Sequence, residues 1–178
     1  MSQYGELIAQ DAVRFERLLP GPVERVWEYL VDPGKRARWL CGGRTEQAVG
    51  GRIEMHFNNA KLSGDDDIEP PEKHRQYAGP MEFHGTVTAC EPPRLLRHTW
   101  EFEGQSSEVT YELSEHGQQV KLVLTHRRLR DRSEVIDVCG GWHTHLDILK
   151  DILEKNPPRP FWKHHTANEA AYASRLAN

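Results

Sequence analysis

A chain of 178 residues can bury one real core and is too short for two comfortable ones. Its formal charge of −4, with no basic stripe interleaved with aromatics, argues against nucleic acid and anionic membrane as partners, since both reward a basic surface. The chain is 37% hydrophobic and 28% charged, which fits a folded domain with polar loops rather than a disordered one.

No run approaches the ~20 apolar residues of a membrane span. The opening residues, Met1 to Val13, carry neither a basic n-region nor an apolar h-region, so no secretory signal is expected. Cys41, Cys90 and Cys139 stand far apart, and no pair has metal or redox spacing. Buried thiols in a reducing compartment follow, and the expected location is cytoplasmic.

Alternation predicts a first strand over Ala12 to Leu19, with Val13, Phe15 and Leu19 on one face. Pro20-Gly21-Pro22 breaks it, and Pro22 suits the first position of a helix. Val23, Val26, Trp27, Leu30 and Val31 then recur at helical spacing. Asp32-Pro33-Gly34 stops that helix, and a short second one is predicted over Lys35 to Leu40.

Strands dominate the middle. Ile53, Met55 and Phe57 alternate with polar residues; Phe83, Gly85, Val87 and Ala89 share a parity; Leu96, His98, Trp100 and Phe102 share the next. Val109, Tyr111 and Leu113 lead to a turn at Glu115-His116-Gly117, and Val120, Leu122, Leu124 and His126 return from it. One apolar face and one polar face describe an antiparallel sheet covered on one side. Between Asn58 and Pro80 the pattern disappears. That stretch, with Gly64-Asp65-Asp66-Asp67 and Pro70-Pro71, is expected to be a flexible loop insertion, a mobile flap near the mouth of any cavity.

The last long helix starts at a capping box, Asp131 with Glu134. Val135, Val138, Cys139, Trp142, Leu146, Leu149 and Leu153 form its apolar stripe, and Asn156-Pro157-Pro158 ends it. Residues 157–178, with Phe161, Trp162, Tyr172 and Leu176, are expected to add a packed C-terminal helix. No internal repeat and no second-domain boundary appear, so residues 1–178 read as one α+β domain.

The residues that carry chemistry are sparse. Ten histidines invite a metal reading, but no His-Glu-x-x-His or Cys-x-x-Cys is present. His143 and His145, two apart on a helix, point in different directions. His164-His165 lie adjacent in the tail. The acidic run Asp65-Asp66-Asp67 lacks the spaced ligands of a calcium loop and reads as solvated. There is no nucleophile elbow, phosphate loop or dinucleotide fingerprint. No catalytic residue, no metal and no cofactor is therefore expected. The inward parity of the sheet carries His98, Trp100, Tyr111 and His126 among apolar residues. Polar tips on such a face are either satisfied core groups or the polar points of a pocket wall. Gly140-Gly141 inside the long helix costs about 1 kcal/mol per glycine relative to alanine. Close approach of the helix to the sheet, or of a ligand to its backbone, would offset that, and Gly141, next to the stripe residue Trp142, is expected to be the sensitive one.

Three segments resemble one family. They are PVERVWEYLVDPGKRARWL from Pro22 to Leu40, GTVTACEPPRLLRHTW from Gly85 to Trp100, and GWHTHLDILKDILE from Gly141 to Glu154. Their order and spacing are similar to the SRPBCC (START-like) superfamily, within it the family named for homology to the heat-shock protein 90 ATPase activator. The resemblance implies a helix-grip fold: a curved antiparallel sheet wrapped around a long C-terminal helix, two short helices after the first strand, and a cavity between sheet and helix. Its fingerprint residues here, Trp27, Pro33, Trp39, Pro93, Trp100, Gly141 and Trp142, are core anchors and turn-formers, and no catalytic set comes with them.

The resemblance implies three roles. The leading one is non-catalytic binding of a small hydrophobic, aromatic or lipid-like molecule, in a stress response among other settings. Its cavity residues would be Phe57, Phe83, His98, Trp100, Tyr111, Leu124, His126, Cys139, Trp142 and Leu146. The second is an interaction module that touches a chaperone. The third is a cyclase- or hydrolase-like enzyme using His98, Tyr111 and His126 for proton transfer. A homodimer stays open as well.

Overall fold

The computed structural model describes residues 3–62, 64 and 66–177. Among them seven strands form one antiparallel sheet: β1 (Glu6–Ala9), β2 (Ala12–Pro20), β3 (Arg52–Phe57), β4 (Met81–Glu91), β5 (Leu95–Phe102), β6 (Gln105–His116) and β7 (Gln119–Arg127). Their spatial order is β1-β2-β7-β6-β5-β4-β3. The helices α1 (Val23–Val31) and α2 (Pro33–Arg36) carry the chain from β2 across to the far edge strand β3. The long helix α3 (Arg132–Leu153) covers the inner face, and α4 (Phe161–Arg175) runs back along α3. This is the helix-grip arrangement, in which a curved sheet closes on one long helix. Among the described residues no helix is long and apolar enough to cross a membrane.

Strand alternation sets the inner face. One row of paired residues, Val13, His126, Val109, His98 and Val87, runs across five strands. All five are buried. The neighbouring row, Phe15, Leu124, Tyr111 and Leu96, is buried too. Such cross-strand neighbours are the unit of sheet stability, and a slip of one residue would turn both rows to solvent.

Three local expectations need correction. The strand β1 carries no clean alternation, all four residues being exposed, so periodicity does not reveal it. The second helix starts at Pro33, not Lys35, because the Asp32 carboxylate accepts from Lys35 N at 2.8 Å and Pro33 sits at the first turn. Ala89 does not share the inward parity of Val87. A bulge between them shifts the register, so that Ala89 pairs with Arg97 and Cys90 with Leu96.

The helix α3 begins as the capping box predicts, with the Asp131 carboxylate accepting from Glu134 N at 3.0 Å. Its Val135, Cys139, Trp142, Leu146, Leu149 and Leu153 are buried. The segment between β3 and β4 is not featureless: it forms short 3-10 turns at Asn59–Lys61 and Glu72–Tyr77. Asp67 accepts from the Trp162 and Lys163 amides at 2.7 and 2.8 Å. It thereby satisfies the otherwise uncapped first turn of α4. The acidic run is thus not merely solvated; its last member is a helix cap supplied from a distant segment. Asp65 lies outside the described residues.

The two helical glycines differ, and not as expected. A Cβ on Gly140 would lie 3.3 Å from Glu169 Cβ and 3.4 Å from Glu169 Cα, so α4 packs closely there. A Cβ on Gly141 would meet nothing within 4 Å. Gly141→Ala is therefore expected to raise stability by about 1 kcal/mol through helix propensity. Gly140→Ala is expected to fall clearly short of that gain, or to destabilise, because a backbone must give way. Denaturant melts of both variants decide; equal gains at the two positions would contradict this account of α3–α4 packing.

Candidate functional site

The sheet is wider than α3, and the uncovered part of its inner face becomes a cavity of about 600 Å³. Its floor comes from β3, β4 and β5, where Phe57, Phe83, Trp100 and Phe102 cluster. Phe57 lies 5.6 Å from Phe83 and 5.5 Å from Trp100 between ring centroids, and Phe83 lies 5.2 Å from Phe102. Such spacings are those of mutually packed aromatics. One side wall is α3, with Val138, Gly141, Trp142 and His145; another is the start of α4, with Phe161, Trp162 and His165. The segment after β3 closes the remaining side with His74 and Tyr77. Exposed polar residues at the start of α3, among them Asp131, Ser133 and Asp137, border the mouth.

Of the ten residues expected to form the cavity, Phe57, Phe83, Trp100, His126 and Trp142 line it. His98, Tyr111, Leu124, Cys139 and Leu146 do not; they are sealed in the closed part of the core. Strand parity picks out Phe57, Phe83, His98, Trp100, Tyr111, Leu124 and His126, and the helical stripe picks out Cys139, Trp142 and Leu146, but neither pattern can say where along a strand the covering helix leaves a gap. His74, His145, Phe161, Trp162 and His165 were missed. They enter from loop and helix, and only the aromatic richness around Phe161-Trp162 hinted at it.

Three buried histidines in and beside the cavity, His98, His126 and His145, are hydrogen-bonded and neutral. The Trp142 indole can only donate, so its 3.0 Å bond to His126 Nδ1 makes that nitrogen an acceptor. His126 Nε2 then carries the proton and donates to Ser107 Oγ at 2.8 Å. His145 Nδ1 donates to the Trp39 carbonyl at 2.7 Å, and His98 Nδ1 to the Thr99 carbonyl at 2.8 Å. Burial pushes His98 and His145 down to about 4. Burial, with the nearby His98 adding to it, takes His126 to about 3. Burial, aided by His74, takes His165 to about 4. Burial also raises Cys41 and Cys139 to about 12, which removes them as nucleophiles.

Among the described residues, three buried polar atoms on cavity-lining side chains have no hydrogen-bond partner: Asn59 Oδ1, Trp162 Nε1 and His165 Nδ1. Native proteins leave few such atoms unmatched, because each costs about 1–3 kcal/mol. A donor, an acceptor and a ring nitrogen of either role thus stand unmatched on residues that line the cavity.

The family model described as "Activator of Hsp90 ATPase homolog 1-like protein" matches residues 20–154. No curated protein matches the chain. Among solved structures, the protein encoded by gene BPP1335 from Bordetella parapertussis is 48% identical, with a TM-score of 0.80, covering 96% of this chain and 88% of that one. CalU16 from Micromonospora echinospora is 24% identical, with a TM-score of 0.69, covering 94% of this chain and 89% of that one. DynU16, from the dynemicin biosynthetic locus, is 24% identical with a TM-score of 0.65, covering 86% of this chain and 51% of that one. The last two share the fold.

The buried histidines imply a pH dependence of definite sign. Folded His98, His145 and His165 protonate near 4 and His126 near 3, whereas all four would protonate near the ordinary 6.5 when unfolded. Between those values the unfolded chain holds more protons, so stability falls as the pH falls through this window. Each histidine contributes up to about 1.4 kcal/mol per pH unit there. Urea denaturation is expected to show a steep loss of stability between about pH 6.5 and 4. A flat profile across that range would contradict the neutral, buried assignment.

Proposed function

The chain belongs to the Activator of Hsp90 ATPase homolog 1-like family, and we propose that it encloses a small hydrophobic or aromatic molecule without transforming it. The observation that carries this is the cavity of about 600 Å³, walled by Phe57, Phe83, Trp100, Phe102, Trp142 and Phe161. That volume and lining suit a compact apolar guest, and a few polar points orient one. The unmatched Asn59, Trp162 and His165 atoms supply such points. A guest with one hydroxyl or carbonyl at its edge would satisfy them better than a plain hydrocarbon.

The cyclase or hydrolase reading draws less support from the geometry. His98 and Tyr111 lie outside the cavity, and both ring nitrogens of His126 are engaged by Trp142 and Ser107. Burial raises Tyr111 well above the ordinary phenol range, and burial lowers His98 and His126. Groups held neutral and hydrogen-bonded in this way orient a guest more readily than they exchange protons with it. Three free cysteines, two of them buried, support a reducing cytoplasmic setting.

Gly141 offers the test. It borders the cavity and has open space where a side chain would stand. Native mass spectrometry and tryptophan fluorescence with a panel of flavonoid-like aromatics and single-chain lipids are expected to find at least one guest. Gly141→Leu is expected to keep the fold and weaken that guest at least about tenfold, or ~1.4 kcal/mol. No uptake of any panel member by the unmodified protein, or undiminished uptake by Gly141→Leu, would overturn the proposal.

A further inference from the structure

At the cavity wall, three ligating side chains meet that no single sequence motif would bring together. His165 and Glu169 stand one turn apart on α4 and share a face of it. His74 arrives from the segment between β3 and β4. One ligand atom from each lies within 4.8 Å of the other two. His74 Nε2 is 2.7 Å from Glu169 Oε2, and the rings of His74 and His165 meet edge to face with centroids 4.9 Å apart. A separate observation points the same way. His165 is 6% exposed, and its Nδ1 has no hydrogen-bond partner among the described residues. A buried imidazole nitrogen so left asks for a ligand.

We infer that His74, His165 and Glu169 form a binding site for a divalent transition-metal ion of the zinc class. Two imidazoles and a carboxylate are the donor set such ions favour, and three protein ligands leave a fourth position open. Ligand atoms about 2.0–2.1 Å from a tetrahedral ion stand about 3.3 Å from one another. The His74–Glu169 pair would open slightly and the remaining atoms draw inward. Lys73 Nζ holds the other carboxylate oxygen, Glu169 Oε1, at 2.7 Å, which leaves Oε2 turned to His74. Outer partners of this kind orient a ligating carboxylate. His74 and His165 both border the cavity, so an oxygen of a cavity guest would lie within reach of the ion. Coordination would also fasten the loop carrying His74 to α4.

A second cluster makes the contrast. His143, His164 and Asp147 also converge within 4.8 Å. There, however, Arg17 and Arg159 already stand 3.3 and 3.5 Å from the Asp147 carboxylate. A dication added to that site would face two fixed positive charges at close range. The ion therefore belongs at Glu169, where the neighbouring cation is a half-exposed lysine with an alternative partner in Asp137.

The test is calorimetric titration of the chelator-treated full chain with Zn²⁺ alone and with Co²⁺ alone, with bound metal counted after desalting. One ion per chain is expected, with a dissociation constant of about 1 μM or tighter. His74→Ala and Glu169→Gln, each verified as folded by circular dichroism, are expected to weaken it at least about tenfold. His164→Gln, in the second cluster, is expected to leave it unchanged. Absence of binding to the unmodified chain, binding undiminished in His74→Ala and Glu169→Gln, or loss on His164→Gln instead would each overturn the assignment. None of these readouts depends on a cavity guest.

Discussion

One buried carboxylate holds the three layers of this domain together. Asp147 on α3, 7% exposed, lies 3.3 Å from Arg17 of β2 and 3.5 Å from Arg159 before α4. It also meets His143 of α3 at 3.2 Å and His164 of α4 at 2.8 Å. Burial alone would raise its pKa. The hydrogen bonds of His143 and His164, with the charges of Arg17 and His143, outweigh that and hold it well below the ordinary carboxylate range. A buried charge is tolerable only when so matched, and removing one partner leaves the others exposed to the full cost of burial. Arg17 has little freedom in this. It sits at an inward position of β2, between Phe15 and Leu19, and must find an anion on whatever covers the sheet.

That constraint sets the position of α4, and α4 sets the cavity. With Arg159 held to Asp147 and Gly140 against Glu169, the first turns of α4 come to rest beside the uncovered sheet. Phe161, Trp162 and His165 then become wall residues. The segment between β3 and β4 is drawn onto the same helix, by Asp67 at its N-terminus and by Lys73 and His74 at Glu169. What looks in isolation like an acidic, proline-rich insertion is in the folded chain the fourth side of a pocket. It is also the source of one ligand in the His74–His165–Glu169 cluster.

The inner face shows how polar groups are carried in such a core. His98, His126 and His145 are neutral, and each has a definite tautomer dictated by a partner that can only donate or only accept. The Trp142–His126–Ser107 chain ties α3 to β7 and β6 at the cavity floor. Such fully matched networks favour one arrangement of the core over others that bury the same area. They also leave few free polar groups there. Apart from two nitrogens of Arg17 on β2, the unmatched atoms among the described residues are those of Asn59, Trp162 and His165, on the loop and α4 side.

Local patterning by itself determined most of the architecture. Alternation in β2 to β7, the helical spacing of Val23 to Val31, and the Asp131–Glu134 cap each depend on neighbours within a few residues, so they are legible one segment at a time. It also determined which residues of the sheet and of α3 turn to the core, those that line the cavity and those sealed beside it alike. It did not reveal β1, whose pairing with β2 leaves no buried face to leave a pattern, nor the bulge that turns Ala89 outward. Tertiary structure alone decided where α3 stops filling the sheet and so which inward residues meet open space. It alone brought Arg17 to Asp147, Asp67 to the start of α4, and His74 to His165 and Glu169. These partners are separated by about 90 to 130 positions in the chain. No periodicity spans such distances; only the packing of one finished element against another puts the groups within reach.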